Sequence, residues 1–209
     1  MKAYDRISVD QWFLAALGAL VFTLAAAGMV HSARASLAAR LACKAQYGQP
    51  AASVEQVLDA CRKASSLYPW NYYFTTFTAE MAYYRAADVT GEARAERLRQ
   101  ARFWCDRGLY QNGYKSQLRR LKTRFLWEDS PLKAIDYWKA YTDWQFWEPG
   151  NHATLAELYA RAGEFDLAEQ SLKWVEIDPV SHQDARRVVD REKKIWEESL
   201  DGKSGEWGE

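Results

Sequence analysis

The 209-residue chain carries no formal net charge and has only three cysteines, three histidines and five prolines. Each scarcity removes a class of function. Equal numbers of basic and acidic side chains, 28 of each, argue against a general nucleic-acid binder and against a domain held to a membrane surface by charge alone. Cys43, Cys61 and Cys105 lack Cys-x-x-Cys spacing, and His31, His152 and His182 stand far apart with no spaced Cys or carboxylate partner, so no metal site is expected. There is no Gly-x-Ser-x-Gly elbow. Gly202-Lys203-Ser204 mimics the end of a phosphate loop, but Glu197 occupies the place of the required upstream glycine and no strand precedes it. Catalytic residues and cofactors are therefore not expected, and an enzyme is the least favoured reading. Few prolines and eleven glycines leave long stretches free to be helical.

What the chain does have, near its start, is Trp12 to Val30 (WFLAALGALVFTLAAAGMV), 19 residues without a charge. As an α-helix this run covers roughly 28 Å, close to the ~30 Å hydrocarbon core of a bilayer. It reads as a single membrane span, because every backbone amide is satisfied inside the helix. A buried helix of a soluble core and a removable signal peptide cut after Ala33-Arg34-Ala35 are the competing readings. The apolar run exceeds a signal-peptide core of roughly 7–15 residues, which favours a retained anchor. Lys2 and Arg6 on one side and Arg34, Arg40 and Lys44 on the other barely discriminate orientation. The usual layout, a short cytoplasmic tail before one apolar segment, places the C-terminal domain outside the cytoplasm, in a bacterium the periplasmic side of the inner membrane.

The remainder reads as all-α. Ser8-x-x-Gln11 resembles a capping box opening the anchor helix, and Gly48 and Pro50 end its extension. Helices then follow from Ser53 to about Ser66, from Asn71 to Ala87, from Glu92 to about Tyr110, from Lys115 to Trp127 and, after the Ser130-Pro131 start signal, to about Trp144. Glu148-Pro149-Gly150 is read as a break, Asn151 as the next start, Gly163 as a turn, Asp178-Pro179 as a stop, and Ser181 to Leu200 as a charged last helix. The tail, Asp201 to Glu209, is expected to fray. At this length one domain is expected.

Aromatics make up 14% of the chain, crowded at Trp70, Tyr72, Tyr73, Phe74, Phe77, Tyr83 and Tyr84 and again at Trp144, Phe146 and Trp147. Most are expected in the core, with some left on the surface as hot spots for a protein or platforms for sugar rings. Between Glu92 and Arg124 basic residues outnumber acidic ones by ten to three. A solvated face is the simpler explanation for this 94–124 region, and an anionic glycan or lipid headgroup the more specific one. Cys43 and Cys61 could be brought together by the first hairpin and pair as a disulfide in an oxidising compartment; buried free thiols are the alternative.

Alternation of helices with short turns asks for a repeat test. Asn151 to Pro179 (NHATLAELYARAGEFDLAEQSLKWVEIDP) resembles a tetratricopeptide repeat. Leu155, Ala156 and Tyr159 fall at that family's first-helix positions, Gly163 at its turn, and Ala168, Leu172 and Val175 at its second-helix positions. Weaker matches lie at Glu55 to Pro69, at Ala101, Cys105 and Gly108, and at Ile135 to Pro149. The resemblance implies a solenoid of about four helical pairs over residues 31–200, with a concave binding face and a terminal capping helix. An irregular helical bundle is the alternative. Tyr-Pro-Trp-Asn and Trp-Glu-Pro turns behind a single span also look like helical proteins of the exopolysaccharide VpsP type, which implies a glycan-binding accessory of exopolysaccharide or O-antigen biosynthesis or export.

Anchor, repeats and missing chemistry together lead to an expected adaptor that holds an integral membrane or envelope protein. Candidate contact residues are Tyr72, Tyr73, Trp144, Trp147, His152 and Glu157.

Overall fold

A computed structural model of the chain describes residues 9–47 and 53–204. Ser8, Gly48, Pro50 and residues 205–209, on which the first capping box, the first break and the end of the tail depend, lie outside the described residues. Among the described residues all regular structure is helical. The helices are α1 (Val9–Tyr47), α2 (Val54–Leu67), α3 (Tyr72–Arg85), α4 (Gly91–Gln111), α5 (Ser116–Asp129), α6 (Pro131–Trp144), α7 (Pro149–Arg161), α8 (Phe165–Lys173) and α9 (Pro179–Ser204), with a 3-10 turn at Ala86–Asp88 after α3. They group into two compact units, Met1–Gly113 and Tyr114–Glu209.

In the first unit, α1 is long and apolar enough to span a membrane. Leu14, Leu17, Val21, Phe22, Leu24, Met29 and Val30 all stand exposed on it, an apolar surface that water would penalise and lipid would not. Thr23 removes its own polar cost by donating its hydroxyl to the Ala19 carbonyl at 2.8 Å. The upper part of α1 packs on α2, where Ala38, Ala42, Ala64 and Phe74 form one buried cluster; alanines there let the backbones approach closely. The Ser53/Gln56 capping box opens α2, Gln56 N–H donating to Ser53 Oγ at 3.3 Å and Ser53 N–H to Gln56 Oε1 at 2.8 Å. Asn71 Oδ1 caps α3 through Tyr73 N–H at 3.0 Å.

Helices α2, α3 and α4 run alternately up and down, and side-chain bonds at both ends fix the register. At one end Arg97 reaches across to Glu55 at 2.6 Å and donates to the Arg85 carbonyl at 2.6 Å. At the other Gln111 donates to the Pro69 carbonyl and accepts from Thr75 Oγ1 at 2.7 Å. The interior of α3 differs from expectation. Phe74, Thr75, Thr76, Thr78, Ala79 and Ala82 are buried, whereas Trp70, Tyr72, Tyr73 and Tyr84 are exposed. Two of these threonines fit the narrow seam by bonding back into their own helix, Thr75 to the Tyr72 carbonyl at 2.8 Å and Thr78 to the Phe74 carbonyl at 2.6 Å. Large rings at those positions would force the helices apart.

The second unit stacks α5 to α9. Ile135, Trp138, Tyr141, Leu155 and Leu158 form one cluster, and Ala153, Ala156, Ala160, Ala168, Leu172, Val175, Ala185 and Val189 form another, with Tyr159 packed against both. Trp138 is fully buried and donates its indole N–H to the Asn151 carbonyl at 2.9 Å. Ala156 and Ala168, on the paired helices α7 and α8, have no exposed surface. Gly163 ends α7 at a φ of 82°. Glu164 N–H returns to the Tyr159 carbonyl at 2.9 Å and Gly163 N–H to the Ala160 carbonyl at 3.0 Å, the paired bonds of a Schellman closure.

Several helix boundaries move. Pro149 starts α7 rather than ending the preceding hairpin, since its missing N–H costs nothing at a first helical position. For the same reason α9 begins at Pro179, and Asp178 accepts from Ser181 N–H at 3.4 Å and from Ser181 Oγ at 2.6 Å. Those bonds hold the Asp178 carboxyl below its ordinary range. Helix α8 stops at Lys173, five residues before Asp178. Ser130 precedes Pro131 as expected, but its hydroxyl makes no capping bond.

Candidate partner-binding surfaces

In the second unit Trp138, Tyr141 and Trp144 of α6, and Trp147 just past its end, recur at every third position and lead from the core to the surface. Trp138 and Tyr141 are buried, with ring centroids 5.3 Å apart; Tyr141 and the exposed Trp144 are 6.1 Å apart, and Trp144 and Trp147 are 6.4 Å apart. Three-residue spacing keeps successive rings on one side of the helix. Tyr114 stacks on Trp144 at 4.4 Å, and Phe146 meets Trp147 edge-on at 5.4 Å. Arg119 lies over the Tyr141 ring at 4.4 Å. Tyr114, Trp144, Phe146 and Trp147 therefore form an exposed platform, with Trp147 at 60% exposure. Its rings are held by neighbours before any ligand arrives, which lowers the ordering cost of binding. Burial lifts the Tyr141 hydroxyl above its usual pKa, so it stays protonated.

His152 does not belong to this exposed set. It is only 9% exposed, its Nε2 hydrogen-bonds the Phe146 carbonyl at 2.7 Å, and its ring stacks on Trp174 at 5.4 Å. These contacts brace the connection between α6 and α7.

Glu157 is likewise no ordinary surface carboxylate. It lines a polar pocket of about 190 Å³ with Arg120, Thr123, Arg124, Thr154 and Arg161. Partial burial raises its carboxyl pKa above the ordinary value of 4.5, and the surrounding arginines, Arg161 foremost, oppose that rise. One half-buried acid faces three guanidinium groups, so the lining is more basic than acidic.

Tyr72 and Tyr73 lie in the first unit and are exposed, so the sequence's candidate contacts divide between two units. Nearby, Pro69, Trp70, Phe103, Asp106, Arg107, Tyr110 and Gln111 line an open, largely apolar groove of about 500 Å³. Trp70 is 73% and Tyr110 87% exposed. Sequence reasoning singled out Trp70 as part of an aromatic run but missed Phe103 and Tyr110 of α4, which meet Trp70 only through the antiparallel pairing of α3 with α4.

The basic 94–124 region is partly consumed inside the fold. Arg97 is tied to Glu55, Arg99 pairs with Glu96 at 2.7 Å, and Arg107 lies over Trp104 at 5.5 Å. The two cysteines proposed as a disulfide are free thiols: Cys43 is exposed, whereas Cys61 is buried. Helix pairing joins their helices but leaves the two thiols in different environments. Burial pushes the Cys61 thiol pKa up, against a smaller opposing effect of Thr78, so it is a poor nucleophile. Among the described residues no group of three or more His, Cys, Asp or Glu is gathered where a metal could be held. Comparison of the chain with family models, curated proteins and solved structures finds no match.

Proposed function

We propose that this chain is a membrane-anchored adaptor that captures a protein partner, an integral membrane or envelope component, on the aromatic platform of its second unit. The reading rests above all on the Tyr114–Trp144–Phe146–Trp147 cluster, exposed yet fixed from beneath by Tyr141, Arg119 and the buried Trp138. Preorganised Trp and Tyr anchors of this kind dominate binding energy at protein interfaces. The α7–α8 pair, with Ala156 and Ala168 sealed at its seam and Gly163 at its turn, supports a tetratricopeptide-like repeat, a scaffold whose use is protein binding. The anchor confines the search to a membrane, and the adaptor faces the extracytoplasmic side of a bacterial inner membrane.

The test is detergent extraction and affinity purification through a C-terminal tag. A stoichiometric membrane protein should co-purify with the parent chain and be lost from a Trp144→Ala/Trp147→Ala variant with unchanged melting. If the same variant instead abolishes tryptophan quenching by envelope polysaccharide, and no protein co-purifies, the platform serves sugar rings and the adaptor reading fails.

A further inference from the structure

We propose that the Trp70–Phe103–Tyr110 groove of the first unit is seated in the lipid headgroup layer of the membrane that α1 spans, so that the unit stands on the bilayer in a fixed pose instead of swinging on a tether. The proposal rests on the anchor reading of α1.

Position comes first. The apolar run of α1 ends at Val30, and the first charge beyond it is Arg34. That interval rises about 6 Å along a helix, comparable with the roughly 5–7 Å that each headgroup layer adds to the hydrocarbon core. His31, at the start of the interval, meets the Tyr68 ring edge-on at a centroid distance of 5.0 Å. Higher on α1, Ala38 and Ala42 pack with Ala64. Residue numbers thus rise along α2 as they fall along α1, and α2 descends toward the bilayer until Tyr68 stands at the level of His31. The chain reverses immediately afterwards, since Asn71 caps the ascending α3. Trp70 is in that reversal, at the end of the α2–α3 hairpin nearest the span.

Helix α4 descends to the same level. Its last residue, Gln111, bonds the Pro69 carbonyl and the Thr75 hydroxyl, while its opposite end is tied through Arg97 to Glu55 and Arg85. Tyr110, one residue from that lower end, and Phe103, two turns above it, complete the groove with Trp70.

Chemistry agrees with position. Trp70, Phe103 and Tyr110 are strongly exposed on a unit that buries alanine and threonine in its seams, and the water-facing cost of three large rings disappears at the headgroup level, where Trp and Tyr concentrate because one part of each ring is apolar and its N–H or O–H is wet. The occupant is therefore bilayer lipid.

The experiment uses the full chain in vesicles of phosphatidylethanolamine and phosphatidylglycerol. Spin labels are placed by Trp70→Cys, Tyr110→Cys and, at the opposite end of α3, Ala87→Cys, each combined with Cys43→Ser; all four positions are exposed, so folding should survive. Collision with oxygen, which concentrates in lipid, is compared with collision with a water-soluble nickel chelate. The oxygen-to-nickel ratio at positions 70 and 110 should be several-fold above that at 87. Equal, water-like ratios at all three positions overturn the seating while leaving the anchor intact. Shielding of positions 70 and 110 from both reagents indicates a protein neighbour and also overturns it. Release of the chain from vesicles by alkaline carbonate defeats the anchor reading itself, and the seating with it.

Discussion

Gly163→Ala probes the turn on which the best-formed helical pair depends. Gly163 has a φ of 82°, and a Cβ built there meets Trp196 Cη2 at 3.1 Å and Cζ2 and Cζ3 at 3.2 Å. Two separable costs follow. An L-residue in this left-handed conformation costs roughly 1–2 kcal/mol wherever it is placed. Relieving the contact requires the ring to retreat by about 0.5 Å to an ordinary carbon separation of about 3.5–4.0 Å. Trp196 is 47% exposed, so it can swing outward at a cost below about 1 kcal/mol, mainly the packing it loses against Phe165 and Gly163. The total is about 1–3 kcal/mol. At about 4–8 °C per kcal/mol for a unit of this size, the second unit should melt on the order of 4–24 °C lower. Measured in a Trp196→Ala background, the same substitution should retain the backbone cost and lose the steric one, a coupling of up to about 1 kcal/mol between the two sites. The assay is thermal unfolding of the full chain in detergent, followed by hydrogen exchange to localise the loss to α7, α8 and α9. A Gly163→Ala protein that melts with the parent would show that the backbone here is not left-handed and that the α7–α8 turn is wrongly drawn.

The seam itself is tested by Ala168→Trp, which has no space among Ala156, Leu172, Val175, Ala185 and Val189 and should cost about 1–3 kcal/mol or more by overpacking, with unchanged melting as the refuting result. Thr76 Oγ1 and Ser65 Oγ are buried without a hydrogen-bond partner, so Thr76→Val and Ser65→Ala should be neutral or stabilising by up to about 1 kcal/mol in thermal melts; a clear loss would mean these hydroxyls are satisfied. Glu157→Gln should stabilise the chain at neutral pH. The folded-state pKa is raised, so the penalty of the charged form is present above that pKa, shrinks as pH falls through it, and is gone below the ordinary value of 4.5; parent and variant should melt together in acid, and a constant difference across the range would refute the assignment. Maleimide should modify Cys43 rapidly and Cys61 and Cys105 only on unfolding. For orientation, a C-terminal alkaline phosphatase fusion should be active, and an inactive one beside a glowing fluorescent-protein fusion would place the domain in the cytoplasm.

Helix positions were legible wherever local chemistry decides them. Ser53 and Gln56 are three residues apart and can only serve each other at a helix start; Asn71 before an aromatic run and Gly163 between two apolar stretches carry their geometry with them. The two shifted helix starts share one cause. Pro149 and Pro179 read as stops in the sequence, although proline suits a first helical position as well as it suits the residues past a helix end, and only tertiary packing selects between those uses. Side-chain placement was harder to read. His152 and Glu157 gave no local sign of burial, because much of what surrounds them is remote in sequence, Trp174 beside His152 and Arg120, Thr123 and Arg124 of α5 beside Glu157.

The aromatic runs show why composition misled and spacing did not. A protein rich in Trp and Tyr is expected to spend them on its core, and α6 does so with Trp138 and Tyr141. Helix α3 spends threonine and alanine instead, because α2 and α4 pack on it at distances that suit small side chains. Rings excluded from that seam are displaced to the ends and outer faces of the unit, where they cost free energy in water unless something covers them. From α6 into the turn that follows it, the three-residue step from 138 to 147 carries the rings out of the core in order, and the sequence WKAYTDWQFW holds that step in plain view. In the first unit Trp70 and Tyr110 are 40 residues apart, and only the return of α4 beside α3 makes them one surface. If substituting both with serine left membrane-reconstituted protein as stable as the parent while raising the stability of the same protein in detergent-free, lipid-poor conditions, the rings would be shown to exist for their covering rather than for the fold. Equal destabilisation in both settings would instead make them part of the core's support, and the displacement argument would fail.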